Sequence, residues 1–316
     1  MMDGFLVIDK PKGKTSFDIV ADLRKILNER RIGHLGTLDP MATGVLVIAI
    51  GRATKLNEFL MIMDKEYDAE IVLGARSDTC DAEGKIDYKP EYIKAIYKEA
   101  SARKEAEPDL KKVMVALEEF KGVIDQVPPQ FSAIKVNGER AYHLARQGLP
   151  VRLPSRKVKI SDITDIGFRV DEYGYGILLE GMEKPVMLPV VNCKIKCGSG
   201  TYIRSIARDL GEKLGCFGFL GGLRRTRVGQ FDLERAVKVE NVKAETVELI
   251  PLDNVLEGWA RMDLNRADYD RIMRGQRIKV GGSFPGSYVS GYYEGKLVSI
   301  LRYDNKLGSL KVYKNL

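Results

Sequence analysis

The sequence predicts an α+β fold: a mixed, largely antiparallel sheet flanked by helices, followed by a small β-barrel-like module. Three observations carry this. Short apolar runs, Phe5–Ile8 and Val45–Ile50, alternate with segments of helical spacing. Helix-rich stretches separate groups of strands rather than single strands, the α+β pattern. After Pro251 the texture changes to short, glycine-punctuated strands.

Phe5–Ile8 opens the chain as a buried strand and ends at Asp9-Lys10-Pro11-Lys12-Gly13. Ser16 is placed to cap a helix whose apolar face is Phe17, Val20, Leu23 and Leu27. Val45–Ile50 is apolar without alternation, as in a strand buried on both faces. Ala53–Met63 is helical in pattern, Lys65–Leu73 is a strand, and Tyr92–Phe120 is helix-rich. The strand Val190–Lys196 leads through Cys197-Gly198-Ser199-Gly200 into a helix that puts Ile203, Ile206, Leu210 and Leu214 on one face. A strand near Leu220–Val228 ends in the cationic cluster Arg224, Arg225 and Arg227. The last 66 residues, 251–316, form the small module: a helix over Asp263–Gly275, then strands Arg277–Val280, Ser287–Tyr293, Lys296–Arg302 and Leu310–Tyr313. The expected domains are therefore 1–250 and 251–316, with an insertion in the first over roughly 124–152.

A chain of 316 residues can bury a sizeable core. No apolar run approaches the length that spans a bilayer, and Met1-Met2-Asp3-Gly4-Phe5 is no secretion leader. The expectation is a cytoplasmic protein whose cysteines, Cys80, Cys193, Cys197 and Cys216, are reduced thiols. The net charge of +7 favours an anionic partner. From Gln126 to Ile160 seven Lys/Arg face one acid, and from Lys194 to Gln230 eight face two, a distribution expected of phosphate-contacting segments.

Several catalytic signatures are missing: no Gly-x-Gly-x-x-Gly, no phosphate loop, no His-Glu-x-x-His. Two histidines exclude a multi-histidine metal site. The most constrained carboxylate is Asp39, in Gly33-His34-Leu35-Gly36-Thr37-Leu38-Asp39-Pro40. Glycines that adopt unusual backbone angles and a proline that restricts its neighbour hold such a side chain in place. Two readings stand: an Asp that caps its own turn, or a nucleophile or base kept ionised by an arginine. Arg204, just beyond Gly200, is the candidate partner or else a phosphate contact. Tyr67 and Tyr202 are candidate stacking platforms for a base, or half-buried tyrosines. The turn Gly74–Gly84 gathers acids but lacks the ordered ligand ladder and final glutamate of a calcium loop, and is expected to be a plain connection.

Taken in order, these segments resemble the TruB family of tRNA pseudouridine synthases. The resemblance rests on Asp9–Ser16, Gly33–Leu46, Gly51–Lys55, Lys65–Tyr67, Gln126–Tyr142, Gly200–Ser205, Asp209–Gly211 and Leu223–Thr226, in register over nearly the whole chain. Phe131 and Ser77 depart from the residues usual in the family, and Lys85–Lys112 matches poorly. The resemblance implies conversion of uridine-55 in the T-arm of tRNA to pseudouridine, with no cofactor. Asp39 would be the catalytic aspartate, acting on the sugar C1′ or the base C6, and Arg204 its partner. Tyr67 would stack on the flipped base, His34 would help hold the T-loop open, and Tyr202 and Leu223 would complete the base pocket. Residues 251–316 would be a PUA RNA-binding domain. The implied partner is tRNA, met by a monomer with no membrane and no obligatory protein partner. A guide-RNA-dependent, dyskerin-type enzyme is the related alternative, disfavoured by the continuous match at Gln126–Tyr142. A tRNA-folding chaperone activity is the alternative of another class.

Overall fold

A computed structural model of the chain describes residues 2–89, 91–92, 110–136, 138–149, 151–169, 175–178, 183 and 185–316. Part of the expected helix-rich stretch, 93–109, and positions 137 and 150 of the expected insertion lie outside the described residues.

The main sheet is built from β1 (Gly4–Lys10), β2 (Ile32–His34), β3 (Thr43–Ile50), β4 (Lys65–Leu73), β5 (Gly122–Gln126), β6 (Arg156–Arg169), β7 (Val190–Cys197), β8 (Gly218–Val228) and β9 (Phe231–Asp232). Its order is β1-β3-β8-β4-β7-β6-β5, with β2 on β3 and β9 on β8. Every pair is antiparallel except β8 on β3, which runs parallel through Arg224↔Thr43 and Arg225↔Gly44. The expected mixed, largely antiparallel sheet is the one observed.

The apolar run in β3 has a simple cause. Leu46, Ile48 and Ile50 face the core shared with helices α1 (Ser16–Ile26), α2 (Leu110–Glu118) and α3 (Ile203–Leu214). Val45, Val47 and Ala49 face a second core, shared with Val255, Leu256, Tyr292, Leu297 and Ile300 of the C-terminal region. Both faces are buried, so no alternation survives.

That region holds β10 (Ala260–Asp263), α4 (Arg266–Met273), β11 (Ile278–Lys279), β12 (Tyr288–Tyr293), β13 (Lys296–Asp304) and β14 (Ser309–Asn315). Its five-stranded sheet runs β10-β12-β13-β14-β11, a path open at both ends. Aromatic packing docks it: Phe59 meets Trp259, Tyr288 and Tyr313 edge-on at 5.3, 5.0 and 5.6 Å. The Tyr313 hydroxyl donates to Glu58, 2.8 Å away.

Three local expectations are corrected. Thr15, not Ser16, caps α1, in a reciprocal bond pair with Asp18 that satisfies two orphan N–H groups. Phe17 is 65% exposed, and Ile19 takes its place on the buried face. Residues 51–60 form a 3₁₀ turn that passes into one short α turn, not a helix over Ala53–Met63. In α3, by contrast, the four residues expected on the apolar face are all buried. The four cysteines are free and buried. Among the described residues no helix is long and apolar enough to cross a membrane.

Candidate active site

Asp39 lies on the loop between β2 and β3, and the loop is pinned from three directions. On one side Ser16 Oγ accepts from the Leu38 amide at 2.8 Å and donates to the Leu38 carbonyl at 3.1 Å. This duty explains why Ser16 is buried instead of serving as the cap. From below, Arg225, 1% exposed, donates to the carbonyls of Val45 (2.7 Å), Gly36 (3.1 Å) and Thr37 (3.4 Å). On the third side the Lys10 ammonium is held among the carbonyls of Lys14 (2.7 Å), Pro11 (2.9 Å) and Pro40 (3.3 Å). Gly44, at φ +97°, lets β8 cross tightly: a Cβ there would lie 2.2 Å from the Arg225 carbonyl oxygen.

The Asp39 carboxylate is one-third exposed and faces Arg204 from the first turn of α3. Arg204 Nη2 donates to Oδ1 at 3.2 Å, and Nε approaches Oδ2 at 3.0 Å without hydrogen-bond alignment. The same guanidinium meets Asp81 Oδ2 at 3.3 Å and donates to the carbonyls of Thr79 (3.1 Å) and Phe131 (3.0 Å). Asp81 is itself buried and accepts from Thr79 Oγ1 (2.6 Å) and the Glu83 amide (3.0 Å). One arginine thus bridges a reachable carboxylate and an enclosed one. The enclosed acid holds the arginine in place, and the arginine in turn faces Asp39.

Of the other expected site residues, Tyr67, His34 and Leu223 lie around Arg225, and Tyr202 stands apart from it. Tyr67, in β4, is paired with Arg225 across the sheet and with Ile195 on its other side. Burial pushes its hydroxyl above the usual tyrosine range, against the opposing hydrogen bond and charge of Arg225. Its ring belongs to the main core and is only 8% exposed, so it is a wall of the site more than an open platform. Leu223 is half-buried, two residues along β8 from Arg225, and packs on the same core. His34 ends β2 and is half-buried; burial, with the Arg225 charge, holds its imidazole below the usual histidine range. Its Nδ1 is buried without a hydrogen-bond partner, and no bond joins His34 to Asp39. Tyr202 caps α3: its amide donates to Gln126 Oε1 at 2.8 Å and its carbonyl accepts from Gln126 Nε2 at 3.1 Å. The Arg156 guanidinium covers its ring at 4.6 Å.

Three contributors escaped sequence reasoning. Asp81 sits in the acidic turn expected to be a plain connection. Lys10 is buried beside Asp39 and Glu83, and burial holds its ammonium down to about 8 despite those carboxylates. Arg225 was grouped with the phosphate-contacting cations. The acid-rich glycine turn was a signal for Asp81; nothing local distinguishes Arg225 from Arg224 or Arg227.

The phosphate-contact expectation also changes for the second basic segment. Each of its eight cations meets an acid or a carbonyl of the protein. Arg224 binds Asp9, Arg227 and Lys196 bind Glu66, Lys194 binds Asp165, Arg208 binds Asp209 and Lys213 binds Glu119. In the first segment Lys135, Arg152 and Lys159 are exposed and make no ion pair among the described residues.

Comparison with known proteins identifies the family. Residues 24–203 match the family model for the TruB family pseudouridylate synthase N-terminal domain. Residues 204–258 match that of the tRNA pseudouridylate synthase B C-terminal domain. A protein of Thermobifida fusca named tRNA pseudouridine synthase B is 40% identical over 282 residues, covering 89% of this chain and 88% of its own. One of the same name from Mycobacteroides abscessus is 40% identical over 299 residues, covering 94% and 91%. In fold, the chain is similar to one in the structure of an H/ACA RNP bound to a substrate RNA containing 2'-deoxyuridine. That match has a TM-score of 0.63 and 22% identity, and covers 99% of this chain and 84% of the other.

Proposed function

Because the chain belongs to the TruB family of tRNA pseudouridine synthases, enzymes that isomerise uridine to pseudouridine, we propose that it modifies uridine-55 in the T-arm of tRNA with Asp39 as nucleophile. The observation that carries this reading is the Asp39–Arg204–Asp81 bridge on a loop pinned by Arg225, Ser16 and Lys10. A carboxylate one-third exposed is reachable by a substrate atom, and its guanidinium partner keeps it aimed.

The reaction breaks the C1′–N1 glycosidic bond, turns the uracil and rejoins it through C5; C5 gives up its proton and the freed N1 takes one up, so substrate and product are isomers. It consumes no oxidant, reductant or co-substrate. In this reading Asp39 forms the transient bond, at C1′ or at C6, and Arg204 holds the carboxylate through attack and release. The uridine leaves its stack first, at a cost of a few kcal/mol. Tyr67 and Leu223 then border the base, Tyr202 closes the pocket under Arg156, and neutral His34 fills the gap left in the loop. Lys135, Arg152 and Lys159 contact phosphates, and residues 251–316 act as a PUA-type RNA-binding module.

The test uses the purified protein, unmodified tRNA transcript and no added metal, assayed for pseudouridine by position. The expected product is at the T-loop uridine, and Asp39→Asn gives none while still binding tRNA. Absence of product at high enzyme concentration overturns the activity; a normal rate from Asp39→Asn overturns the nucleophile.

A further inference from the structure

The expected insertion leaves the main sheet at a narrow neck. Gln126 is the last residue of β5 and Arg156 the first of β6, and the two are direct cross-strand partners. Both hold Tyr202. Gln126, 1% exposed, turns its side-chain amide to the Tyr202 backbone and makes the two bonds a neighbouring strand would make. Its Oε1 accepts from the Tyr202 amide at 2.8 Å, and its Nε2 donates to the Tyr202 carbonyl at 3.1 Å. From the other strand Arg156 covers the Tyr202 ring at 4.6 Å and donates to the Gly200 carbonyl.

The residues that follow Gln126 continue the grip on α3. The Val127 carbonyl accepts from Ser205 Oγ at 2.8 Å and from Arg208 Nη2 at 2.9 Å. The Phe131 carbonyl accepts from Arg204 Nη2 at 3.0 Å. Tyr202, Arg204, Ser205 and Arg208 are thus all tied to the stretch Gln126–Phe131.

This attachment has an unusual form. Tyr202 stands at the N-cap of α3 and its side chain makes no capping bond there, where Ser, Thr, Asp or Asn usually secures the first turn. A capping side chain would stabilise that turn and leave its direction free. A glutamine that binds both the amide and the carbonyl of Tyr202 fixes where the helix begins and how it is turned. Arg204 lies two residues further on and reaches Asp39 Oδ1 through a bond of 3.2 Å. A shift of the helix start by about 1 Å would carry that contact out of hydrogen-bond range.

We propose that Gln126 is a positioning residue for the reaction: it fixes the start of α3 so that Arg204 meets Asp39 and Tyr202 closes the base pocket. It also makes the root of the insertion and the arginine-bearing turn one rigid body. The inference rests on the reading of the protein as a tRNA-modifying enzyme. Gln126 touches neither substrate nor Asp39 and acts through Tyr202 and Arg204.

The experiment compares wild type with two variants. Gln126→Met keeps the length of the side chain and makes neither bond; Ser205→Ala removes one tie to Val127 and leaves that carbonyl its bond from Arg208. Each protein is measured for equilibrium binding of unmodified tRNA transcript, for the single-turnover rate of pseudouridine formation at saturating enzyme, and for its melting midpoint. Rates are taken at a temperature where the melts show the protein folded. The rate of Gln126→Met should fall about 100-fold, the loss that a displacement of about 1 Å at a reacting group produces, with tRNA affinity within about 3-fold of wild type. The rate of Ser205→Ala should fall about 10-fold, again with affinity kept. A wild-type rate from Gln126→Met overturns the proposal. An affinity that falls as far as the rate overturns it too, because Gln126 then supports the grip on RNA and not the reacting groups. If Gln126→Met does not fold, the same two outcomes are read from Ser205→Ala. If wild type itself forms no pseudouridine, the functional reading fails, an outcome separate from that of either variant.

Discussion

Replacing Arg204 with Met should lower stability far more than breaking a surface ion pair, because it strands a buried carboxylate. Arg204 is 5% exposed, and its loss leaves Asp81 with only the Thr79 hydroxyl and the Glu83 amide as partners. At the Arg204–Asp81 distance of 3.3 Å, an effective dielectric of about 20 gives a Coulomb attraction of about 5 kcal/mol. Removing one partner of a buried pair costs about 3–5 kcal/mol, in keeping with that figure. At roughly 2 °C per kcal/mol for a chain of this size, the midpoint should fall by about 6–10 °C. The control is Arg52→Met, which breaks the exposed 2.8 Å pair with Asp3; pairs of that kind contribute about 1 kcal/mol or less. Thermal melts and urea titrations measure both. Asp81→Asn, added to Arg204→Met, neutralises the stranded charge and should recover about half of the loss. The reasoning is refuted if Arg204→Met melts no lower than Arg52→Met, or if the added Asp81→Asn lowers the midpoint further by its full single-variant amount.

Other outcomes follow from the same geometry. Gly44→Ala meets both a strained φ and the Arg225 carbonyl, so it should cost about 3 kcal/mol or more by urea unfolding. Gly13→Ala, at φ +88° but in open space, should cost about 1 kcal/mol, and equal losses would rule out crowding at Gly44. Arg225→Met leaves three loop carbonyls without their donor. Single-turnover pseudouridine formation should fall about 100-fold with tRNA affinity kept, and an unchanged rate would show that the loop holds itself. Lys10 and Lys65 release their protons at about 8 in the folded protein, chiefly because both are buried, against 10.5 unfolded. Between those values the unfolded chain binds more protons, so these groups make stability rise with pH across that window. Lys10→Met/Lys65→Met should flatten the midpoint-versus-pH profile there, and a slope that survives in the double variant counts against the burial argument.

What the amino-acid sequence determined by itself is what local pattern and order carry. Period and continuity of apolar residues marked β1, β3 and the buried face of α3. Glycine and proline marked the Asp39 loop, and motif order marked the family. Side-chain partnerships were decided only in three dimensions. Arg224, Arg225 and Arg227 look alike in sequence, yet successive residues of a strand project to opposite faces. Register and the parallel crossing at Gly44 bury Arg225 under the Asp39 loop and leave Arg224 to meet Asp9, while the register shift between Arg225 and Arg227 takes Arg227 off Arg225's face, to Glu66. Asp81 reads as one acid of a solvated turn until α3 brings Arg204 against it from 123 positions away in the chain. Phe17 fits a helical apolar face by spacing, but the docking of Ser16 on Leu38 rotates the first turn and leaves that ring in solvent. Local pattern is set by the chain's own covalent geometry and solvation. Which charge meets which is set by packing between segments far apart in sequence, and no window along the chain contains that information.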